Sequence, residues 1–477
     1  MRKTKIICTL GPAVDDENAI KDLILKGMNG ARFNFSHGDH ASHKALLDLF
    51  KKVRDGLGMP VAAILDTKGP EIRTGTFVEK EVKLIKGSKV TLTTDDAPGD
   101  ASRFGISYKL LYHDVKPGDR ILIDDGLIET QVVAINGTEI ECIVINDGVI
   151  SSNKGINVPD VEINLPSITD KDIDDLRFGV ENDFDFVAAS FIRKADDVNE
   201  IRKYLKEFGG EKMLIISKIE NRQGVENIDE IIEASDAIMV ARGDLGIEIP
   251  VHEVPILQKI MIKKCFLAGK PVITATQMLD SMIRNPRPTR AEASDVANAV
   301  YDGTDCVMLS GETASGKYPN ESVDTMVSIV EAAEADIDYW NRFRTESETD
   351  SEVGIAAKTV TNAISRACCD TAMDLGIKAI VTMSESGNTA RMVSRYRPQS
   401  QILAVTTSAK TQRQLSLSWG VASCMAERFD TTDEMFDLGA KKSVEAGIAK
   451  PGELVVITAG VPIGVVGSTN LLKVQMV

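Results

Sequence analysis

The segment MLIISKIE, residues 213–220, carries a short apolar run directly into the charged residues Lys218 and Glu220. A run of this length, rich in β-branched residues, is typical of a buried strand. Five more apolar runs also end in polar or charged residues, which lie at 32–36, 66–70, 242–244, 274–276 and 310–312. Active sites of (β/α)8 barrels are assembled from the carboxyl ends of different strands. The pattern therefore predicts an α/β protein built on such a TIM barrel, in which these residues share one site.

The composition indicates a globular, acidic protein of several domains. The 477 residues are 43% apolar, which is enough to bury large cores. The net charge of -16 at pH 7 argues against nucleic-acid binding, and an anionic substrate would need local clusters of Arg and Lys. The seven cysteines form no CxxC pair, and no apolar run approaches the ~18 residues of a membrane span. We therefore expect a cytoplasmic protein without a membrane partner.

Eight strand-like runs alternate with helical patterns. The strand-like runs are residues 5–10, 30–35, 61–65, 184–191, 213–218, 237–241, 271–274 and 306–309. Helical patterns between them include residues 16–26, 40–57, 196–208, 255–268 and 291–301, and Thr289 with Glu292 forms a capping-box pattern. Eight such units without a GxGxxG motif favour a closed barrel over an open dinucleotide-binding sheet.

The third unit is interrupted by a segment that resembles an all-β domain. Between residues 70 and 166 the runs are short and alternating, as at 89–93, 120–123 and 139–145. The dipeptides Asp125-Gly126, Asn136-Gly137 and Asp147-Gly148 are preferred hairpin turns. We predict a small β-barrel that enters after the carboxyl end of a strand and overhangs the site as a lid, with hinges at residues 69–70 and 165–166.

The remaining chain predicts a third, separate α/β domain. Residues 344–352 are polar and acidic and indicate a connector. Alternation then resumes, with a helix at 354–375 and five strands, among them 378–383, 402–406 and 471–476. The predicted domains are the barrel at 1–69 and 167–340, the lid at 70–166, and an α/β regulatory or oligomerisation domain at 341–477.

Charged residues at the ends of two neighbouring strands indicate a metal-assisted reaction of phosphate. Glu220 and Asp244 offer hard oxygen ligands of the kind that Mg²⁺ accepts while keeping water and bridging to phosphate. Lys218 lies on the same side of its strand as Glu220, where its charge would stabilise a transferring phosphoryl group. The alternative is structural, with Lys218 and Glu220 as an ordinary ion pair and Asp244 as a helix cap.

A second set of alternating residues indicates anion and cation binding. Arg32, Asn34 and Ser36 face one side of a strand, and Arg suits bidentate capture of phosphate. Asn34, Ser36 and Asp66 together offer oxygens for a weakly held monovalent cation. A polar strand end that is hydrogen-bonded to its own loop remains the alternative.

Three further features leave alternatives open. Residues 311–317 nearly match a P-loop, but Tyr318 replaces the hydroxyl residue that should bind Mg²⁺. His37 is the histidine that directly follows the polar residues at 32–36. It either contacts a nucleotide or has only a structural role in the loop. Hydroxyl residues before a helix predict an anion site or a plain N-cap turn. These candidate effector residues are Ser384, Ser386, Gly387 and Thr389.

Six motifs in this order resemble the pyruvate kinase family along essentially the whole chain. They are GARFNFSH at 30–37, DTKGPEIR at 66–73, ISKIEN at 216–221, VARGDLG at 240–246, TATQML at 274–279 and SGET at 310–313. The resemblance implies transfer of a phosphoryl group from phosphoenolpyruvate to ADP in glycolysis, giving pyruvate and ATP. It also implies dependence on Mg²⁺ (or Mn²⁺) and on K⁺, since Glu71 stands where members that require K⁺ carry it.

The resemblance also implies roles for individual residues. Arg32 grips the phosphate of phosphoenolpyruvate and Lys218 stabilises the transferring group, while Glu220 and Asp244 hold Mg²⁺. Asn34, Ser36, Asp66 and the carbonyl of Thr67 hold K⁺. Arg73, Asn34 and His37 bind the nucleotide, and the helix that begins at Gly243 and Asp244 receives the substrate carboxylate. Thr276 lies where the enolate is protonated, with Ser310 and Glu312 as members of that relay.

The same resemblance suggests a homotetramer and leaves regulation open. Members activated by fructose 1,6-bisphosphate often carry Lys where Glu385 stands here, and Asn388 also replaces a common basic residue. A carboxylate repels a sugar phosphate, so another phosphorylated allosteric effector, or none, is expected. Two rival hypotheses are a P-loop hydrolase built on residues 311–317 and a non-catalytic protein that binds phosphometabolites.

Overall fold

A closed barrel of eight parallel strands forms the centre of the protein. The computed structural model describes residues 1–342, 359–463 and 469–477. The strands are Lys5–Thr9, Gly30–Asn34, Ala62–Asp66, Phe186–Ala189, Leu214–Ile219, Ala237–Ala241, Val272–Ala275 and Cys306–Leu309. Each pairs in parallel with its neighbours, and the last strand pairs with the first. The predicted TIM barrel is therefore confirmed.

Helices surround the barrel and connect its strands. They are Glu17–Lys26, His40–Leu57, Asp170–Glu181, Ala195–Glu207, Arg222–Glu226, Ile228–Ala234, Arg242–Glu248, Val254–Ala268, Arg290–Asp302, Gly311–Ala314 and Pro319–Asp336. The expected helix boundaries agree with these bounds to within two residues, because capping residues determine where a helix begins and ends. Thr289 and Glu292, for example, form the expected capping box. One strand is shorter than predicted, since residues 190 and 191 belong to a loop at the barrel mouth.

The inserted segment folds as a sheet whose strands pair antiparallel, except for the last pair in the order below, Lys89–Thr93 with Arg103–Gly105, which is parallel. Seven strands form one sheet in the order Ile72–Arg73, Gly155–Asn157, Arg120–Ile123, Ile128–Asn136, Glu139–Val144, Lys89–Thr93 and Arg103–Gly105. A bridge between Thr74 and Ile106 connects the two outermost strands, which closes the sheet into the small barrel that was predicted. Val82–Leu84 pairs separately with Gly148–Ile150, and the short helix Leu111–Asp114 lies in the same segment.

Two of the three expected turn dipeptides lie in hairpins. Asp125-Gly126 lies between the paired strands Arg120–Ile123 and Ile128–Asn136, and the turn at Gly137 joins Ile128–Asn136 to Glu139–Val144. The expectation for Asp147-Gly148 was wrong. The strand Gly148–Ile150 pairs with the distant Val82–Leu84 rather than with the strand that precedes it, so tertiary pairing overrides the local signal.

The C-terminal part is a separate α/β sheet. Its strand order is Val421–Met425, Gln401–Thr406, Ala379–Met383, Leu454–Gly460 and Thr469–Met476, with only the last strand antiparallel. The helices are Val360–Asp374, Asn388–Ser394, Ala409–Gln414 and Thr432–Glu445. The five expected strands are confirmed. The expected connector at 344–352 and the expected start of the first helix at 354 lie outside the described residues.

The C-terminal part closes the amino-terminal end of the barrel. Leu417 is 2% exposed and packs in the barrel interior with Ile7, Ile64 and Ile216. Arg397 donates to both carboxylate oxygens of Asp305 at 2.9 and 3.0 Å, and both residues are buried. The floor of the barrel is therefore made by residues from two parts of the chain. In the part of the chain described here, no helix is both long and apolar enough to cross a membrane.

Candidate active site

Four charged residues from three strand ends form one buried network at the barrel mouth. Asp66 accepts from Arg32 Nε at 2.6 Å through one oxygen and from Lys218 Nζ at 3.1 Å through the other. Lys218 Nζ also lies 2.9 Å from Glu220 Oε1. The barrel brings these residues together because their strands are parallel, with Arg32, Asp66 and Lys218 all at carboxyl ends.

The electrostatics of this network favour a fixed positive charge on the lysine. Burial opposes the ammonium form of Lys218, but attraction to Asp66 and Glu220 outweighs it and raises its pKa above the ordinary value. Burial and repulsion from Asp244 raise the pKa of Glu220 to about 7, against the opposing effect of Lys218. Asp66 has a lowered pKa because Arg32 and Lys218 together outweigh its desolvation. The mouth therefore presents two cations among three carboxylates, and its carboxylates favour the charged form of Lys218.

Two loop residues that the sequence reasoning missed tie this network together. Ser190 Oγ donates to the carbonyl oxygen of Thr67 at 2.7 Å and lies 2.7 Å from Lys218 Nζ. The backbone N–H of Phe191 donates to Glu220 Oε2 at 2.6 Å, from a residue whose φ is 56°. A positive φ is rare for Phe, and such residues concentrate at functional sites. The loop after the strand Phe186–Ala189 therefore orients both the lysine and a metal-ligand candidate.

The expected cation residues occupy neighbouring positions at two strand ends. Asn34 and Asp66 are directly paired in the sheet. The Asn34 side-chain oxygen accepts from the Ser36 N–H at 3.2 Å, and the Thr67 carbonyl accepts from Ser190. Amide, hydroxyl, carboxylate and carbonyl oxygens are suitable ligands for a hard monovalent cation. The donor set fits K⁺ in its chemistry, and two of its members, Asn34 and Asp66, are neighbours in the sheet.

A third group lies at the short helix Arg242–Glu248. Gly243 N–H donates to Thr276 Oγ1 at 2.7 Å, and a Cβ at Gly243 would lie 3.2 Å from the same atom. Thr276 and Gln277 have φ values of 66° and 54°, so the backbone is strained where Thr276 faces the helix. Asp244 lies in the first turn of this helix, and its charge adds to burial, the larger cause, in raising the pKa of Glu220. The two carboxylates therefore fit a metal ion that keeps water or substrate oxygens in its other positions.

Glu312 and Ser310 lie behind this group and hold its backbone. Glu312 is buried and accepts from the N–H groups of Leu279 and Ser310 at 3.0 and 2.7 Å. Burial raises its pKa. Ser310 Oγ is a buried hydroxyl that makes no hydrogen bond to any of the residues that the structure describes. The helix Gly311–Ala314 follows directly, so the near match to a P-loop forms one short helical turn around Glu312.

A cleft of about 890 Å³ separates the lid from the barrel mouth. Arg73, Asp124 and Lys154 line it from the lid, and Phe191 and Asp244 line it from the barrel. Glu71 holds Arg73 by ion-pair contacts at 2.6 and 2.7 Å. Lys154 pairs with Asp124 at 2.9 Å and was missed by the sequence reasoning, because a lone lysine between two short strands gives no signal. The lid therefore contributes two cations to the cleft, Arg73 and Lys154, each of which is paired with a carboxylate.

His37 stays close to the polar strand end but is held by its own loop. Its N–H donates to Asn34 O at 3.3 Å, and its carbonyl oxygen contacts His43 Nε2 at 2.8 Å. His43 in turn stacks on Phe35 with ring centroids 4.0 Å apart. These contacts give His37 a part in the loop structure, and a contact with a nucleotide stays a prediction.

Two family models match the chain. The model described as "Pyruvate kinase, barrel domain" matches residues 1–323, and that described as "Pyruvate kinase, alpha/beta domain" matches residues 362–475. The chain belongs to the pyruvate kinase family. Pyruvate kinases are phosphotransferases, and the expected enzyme class is therefore confirmed.

Individual pyruvate kinases are similar over the full chain. The pyruvate kinase of Clostridium acetobutylicum is 54% identical, with 100% of both chains covered. Those of Staphylococcus saprophyticus and Geobacillus stearothermophilus are 51% and 50% identical, and this chain covers 81% and 80% of their lengths. A crystal structure of a pyruvate kinase from Cryptosporidium parvum matches with a TM-score of 0.94 at 40% identity, covering 100% of this chain and 96% of that one.

The candidate effector residues of this pyruvate kinase border a separate pocket. A cavity of about 310 Å³ in the C-terminal sheet is lined by Ser384, Ser386 and Thr389. The helix begins after Gly387, whose φ is 79° and which makes no side-chain cap. Thr389 Oγ1 already contacts Thr469 Oγ1 at 2.7 Å. Gly387 itself therefore caps the helix and no hydroxyl side chain does so, which leaves the effector site a prediction, and Glu385 also lines the cavity.

Proposed function

We propose that this pyruvate kinase transfers the phosphoryl group of phosphoenolpyruvate to ADP by the residues at the barrel mouth. The observation that carries the proposal is the convergence of Arg32, Asp66, Lys218 and Glu220 in one network. The substrate phosphate carries negative charge that grows more diffuse during transfer. Fixed cations in a buried site offset this charge with little reorganisation, which is the main requirement of phosphoryl transfer.

Some of these residues bind the substrates, and others stabilise the phosphoryl group during its transfer. Arg32 grips the phosphate of phosphoenolpyruvate, and its guanidinium is fixed by Asp66 and by Thr9 Oγ1 at 3.1 Å. Lys218 stabilises the phosphoryl group as the bond to the enolate oxygen breaks and the bond to ADP forms. The amino-terminal N–H groups of the helix Arg242–Glu248 receive the substrate carboxylate, that of Asp244 directly and that of Gly243 once it leaves Thr276 Oγ1. Arg73, Asn34 and His37 bind the nucleotide from the side of the lid and its adjoining loop.

The enolate left by phosphoryl transfer takes up one proton at carbon to give pyruvate. Thr276 is the residue at this position, and its hydroxyl donates to Ala275 O at 2.7 Å while accepting from Gly243. In this state the hydroxyl proton is directed away from the mouth. The proton therefore reaches the enolate through water held by Thr276 and the unpartnered hydroxyl of Ser310, with Glu312 fixing the surrounding backbone.

Two cations complete the proposed site. Glu220 and Asp244 hold Mg²⁺ or Mn²⁺, which supplies Lewis-acid neutralisation of phosphate and carboxylate oxygens when bound. Asn34, Ser36, Asp66 and Thr67 hold K⁺. Lys218 shares Asp66 with the K⁺ residues and lies against Glu220 of the metal pair, so both cation sites adjoin the lysine.

We further propose a cytoplasmic homotetramer with an effector site of its own. Val251, Ile256 and Ile260 are exposed on or beside the helix Val254–Ala268 and suit a subunit contact. The seven cysteines are all unpaired, which suits a reducing compartment. Ser384, Ser386, Gly387 and Thr389 would bind a phosphorylated effector by hydroxyl and amide groups, although Glu385 disfavours a bisphosphate.

A coupled assay tests the proposed reaction directly. Pyruvate formed from phosphoenolpyruvate and ADP is followed with Mg²⁺ and K⁺ present, and omission of ADP serves as the control. Pyruvate formation that depends on ADP supports the proposal, and no pyruvate above background rejects it. Changing Lys317 to Ala tests the P-loop rival, since a loss of turnover as large as the loss in Lys218→Met would support that rival.

A further inference from the structure

The lid joins the barrel through two chain segments, and a single carboxylate holds both. The outgoing segment follows the strand Ala62–Asp66, and the returning segment ends at the helix Asp170–Glu181. Asp172 Oδ1 accepts from the N–H of Gly69 at 3.0 Å on the outgoing segment. Its Oδ2 accepts from the N–H and the hydroxyl of Thr169 on the returning segment, at 3.0 and 2.5 Å. The two segments are therefore fastened at one point.

The carboxyl group at this fastening is shielded from water and accepts hydrogen bonds from both segments. Asp172 is 2% exposed, and each of its oxygens receives hydrogen-bond donors. It is the third residue of its helix, where the free N–H groups of the first turn also favour a carboxylate. An amide in the same place would direct its NH₂ group at one of the N–H donors. Only a carboxylate satisfies both segments at once.

The fastened segment lies directly against the loop that orients the catalytic charges. Gly69 has a φ of 72°, and a Cβ at this position would lie 2.8 Å from side-chain atoms of both Ser190 and Phe191. Ser190 contacts Lys218 Nζ, and the N–H of Phe191 donates to Glu220. A shift of the outgoing segment would therefore move the contacts of the lysine and of the metal-ligand candidate.

The same loop also holds the returning segment. Arg193 donates to the carbonyl oxygens of Ile163 and Leu165 at 2.9 and 2.8 Å. The returning segment is thus attached at Asp172 and again at Arg193, three residues beyond Ser190. Lid position and mouth geometry are coupled through these two attachments.

We propose that Asp172 is a positioning residue that sets the hinge of the lid. By fixing Gly69 and Thr169 to each other, it confines lid motion to a rotation that brings Arg73 and Lys154 over the mouth. Asp172 touches no substrate in this scheme and acts through the hinge alone. The inference rests on the proposed function, because it assigns the hinge a role in that reaction.

The test compares Asp172→Asn with Asp174→Asn, which removes the same charge from an exposed position of the same helix. Loss of a hydrogen bond to a charged group predicts a fall in kcat of about 10- to 100-fold for Asp172→Asn. Binding of phosphoenolpyruvate without ADP, measured by calorimetry, should change by less than about threefold, because Arg32 and Lys218 remain. Hydrogen exchange of the amides at 67–71 and 163–169 should accelerate by about tenfold or more in Asp172→Asn alone.

Several outcomes would overturn the proposal. Turnover of Asp172→Asn equal to that of Asp174→Asn would do so, as would a loss of turnover with unchanged exchange at the two hinge segments. If Asp172→Asn does not fold, Thr169→Val decides, since it keeps the Asp172 carboxylate and removes the hydroxyl that donates to it and that caps the helix by accepting from the Asp172 N–H. Its kcat should fall and Thr169→Ser should restore it, and a normal rate in Thr169→Val would reject the hinge role. A wild-type enzyme without pyruvate formation would reject the proposed function, whereas the exchange measurement still tests the hinge.

Discussion

Lys218 and Glu220 place Nζ and Oε1 2.9 Å apart, although both belong to one stretch of chain that leaves the barrel mouth. The ammonium therefore lies beside a carboxylate that is a candidate metal ligand, and against Asp66 of the candidate K⁺ set. The charges of Lys218, Glu220 and Asp66, which are assigned to different ligands, therefore lie together in one buried network. A change at Lys218 should consequently affect both the reaction and the stability of the site, because it leaves two buried carboxylates with one cation fewer.

The first prediction concerns Lys218→Met. A charge at ~4 Å in an effective dielectric of ~20 contributes roughly 4 kcal/mol, which corresponds to about a 1,000-fold fall in kcat. Binding of phosphoenolpyruvate should remain measurable because Arg32 still contacts the phosphate. Stopped-flow or steady-state assays measure the rate, and calorimetry measures the binding. Lys203→Met, at an exposed position on the helix Ala195–Glu207, is the matched control, and near-normal turnover of Lys218→Met would contradict the assigned role.

The second prediction concerns Ser190→Ala. The hydroxyl of Ser190 connects the Thr67 carbonyl to Lys218 Nζ, so its loss frees both groups. We expect kcat to fall by about 10- to 100-fold, the range for a hydrogen bond to a charged group, and the K⁺ concentration for half-maximal rate to rise. The K⁺ dependence of the steady-state rate checks both effects. Ser328→Ala on an exposed helix serves as control, and an unchanged K⁺ dependence would show that Ser190 does not act on the cation site.

The third prediction concerns the monovalent cation. Replacing K⁺ by tetramethylammonium should lower the rate by about tenfold or more, because a large cation cannot enter a site made of close oxygen ligands. The rate at constant ionic strength, with either cation as the chloride salt, measures the effect. Titration of K⁺ back into the same sample should restore turnover. Equal rates in the two salts would reject K⁺ binding at Asn34, Ser36, Asp66 and Thr67.

The fourth prediction concerns the floor of the barrel. Leu417→Ala would leave a cavity among Ile7, Ile64 and Ile216, and a buried Leu→Ala change costs about 2–5 kcal/mol. The denaturant midpoint of unfolding should therefore fall clearly, as followed by circular dichroism. Leu375→Ala, at a half-exposed position of the C-terminal part, should leave the midpoint nearly unchanged. Similar midpoints for the two variants would mean that Leu417 does not contribute to the barrel core.

The strands and the charged residues at their ends were predictable from the sequence, because the spacing of apolar residues and the residue types within each short segment indicate them. Arg32, Asp66 and Lys218 stood out for this reason, and parallel pairing then brought them together. Ser190 was not predictable, since it was assigned to the end of a strand and its contacts depend on two other strands. Leu417 gave no signal either, because its burial depends on a barrel floor more than a hundred residues away in the chain.

The wrong expectation for Asp147-Gly148 also shows that contacts between distant parts of the chain cannot be predicted from local sequence. The dipeptide has the composition of a tight turn, yet the strand that begins at Gly148 pairs with Val82–Leu84. Local sequence indicates that the chain can turn there, whereas the partner strand, Val82–Leu84, lies more than sixty residues earlier in the chain and forms a separate two-stranded sheet with it. The pairing of strands within the lid therefore needed the structure.

The floor shared by Leu417, Arg397 and Asp305 has a consequence for exchanging parts between relatives. A hybrid that joins this barrel to the C-terminal portion of another family member would replace one side of two contacts. These are the packing of Leu417 in the barrel interior and the buried ion pair of Arg397 with Asp305. For the stability of such a hybrid, the residue at which the two chains are joined therefore matters less than the match between the residues at these three positions. Hybrids that keep a leucine, an arginine and an aspartate there should assemble, and those that mismatch the charged pair should precipitate or unfold.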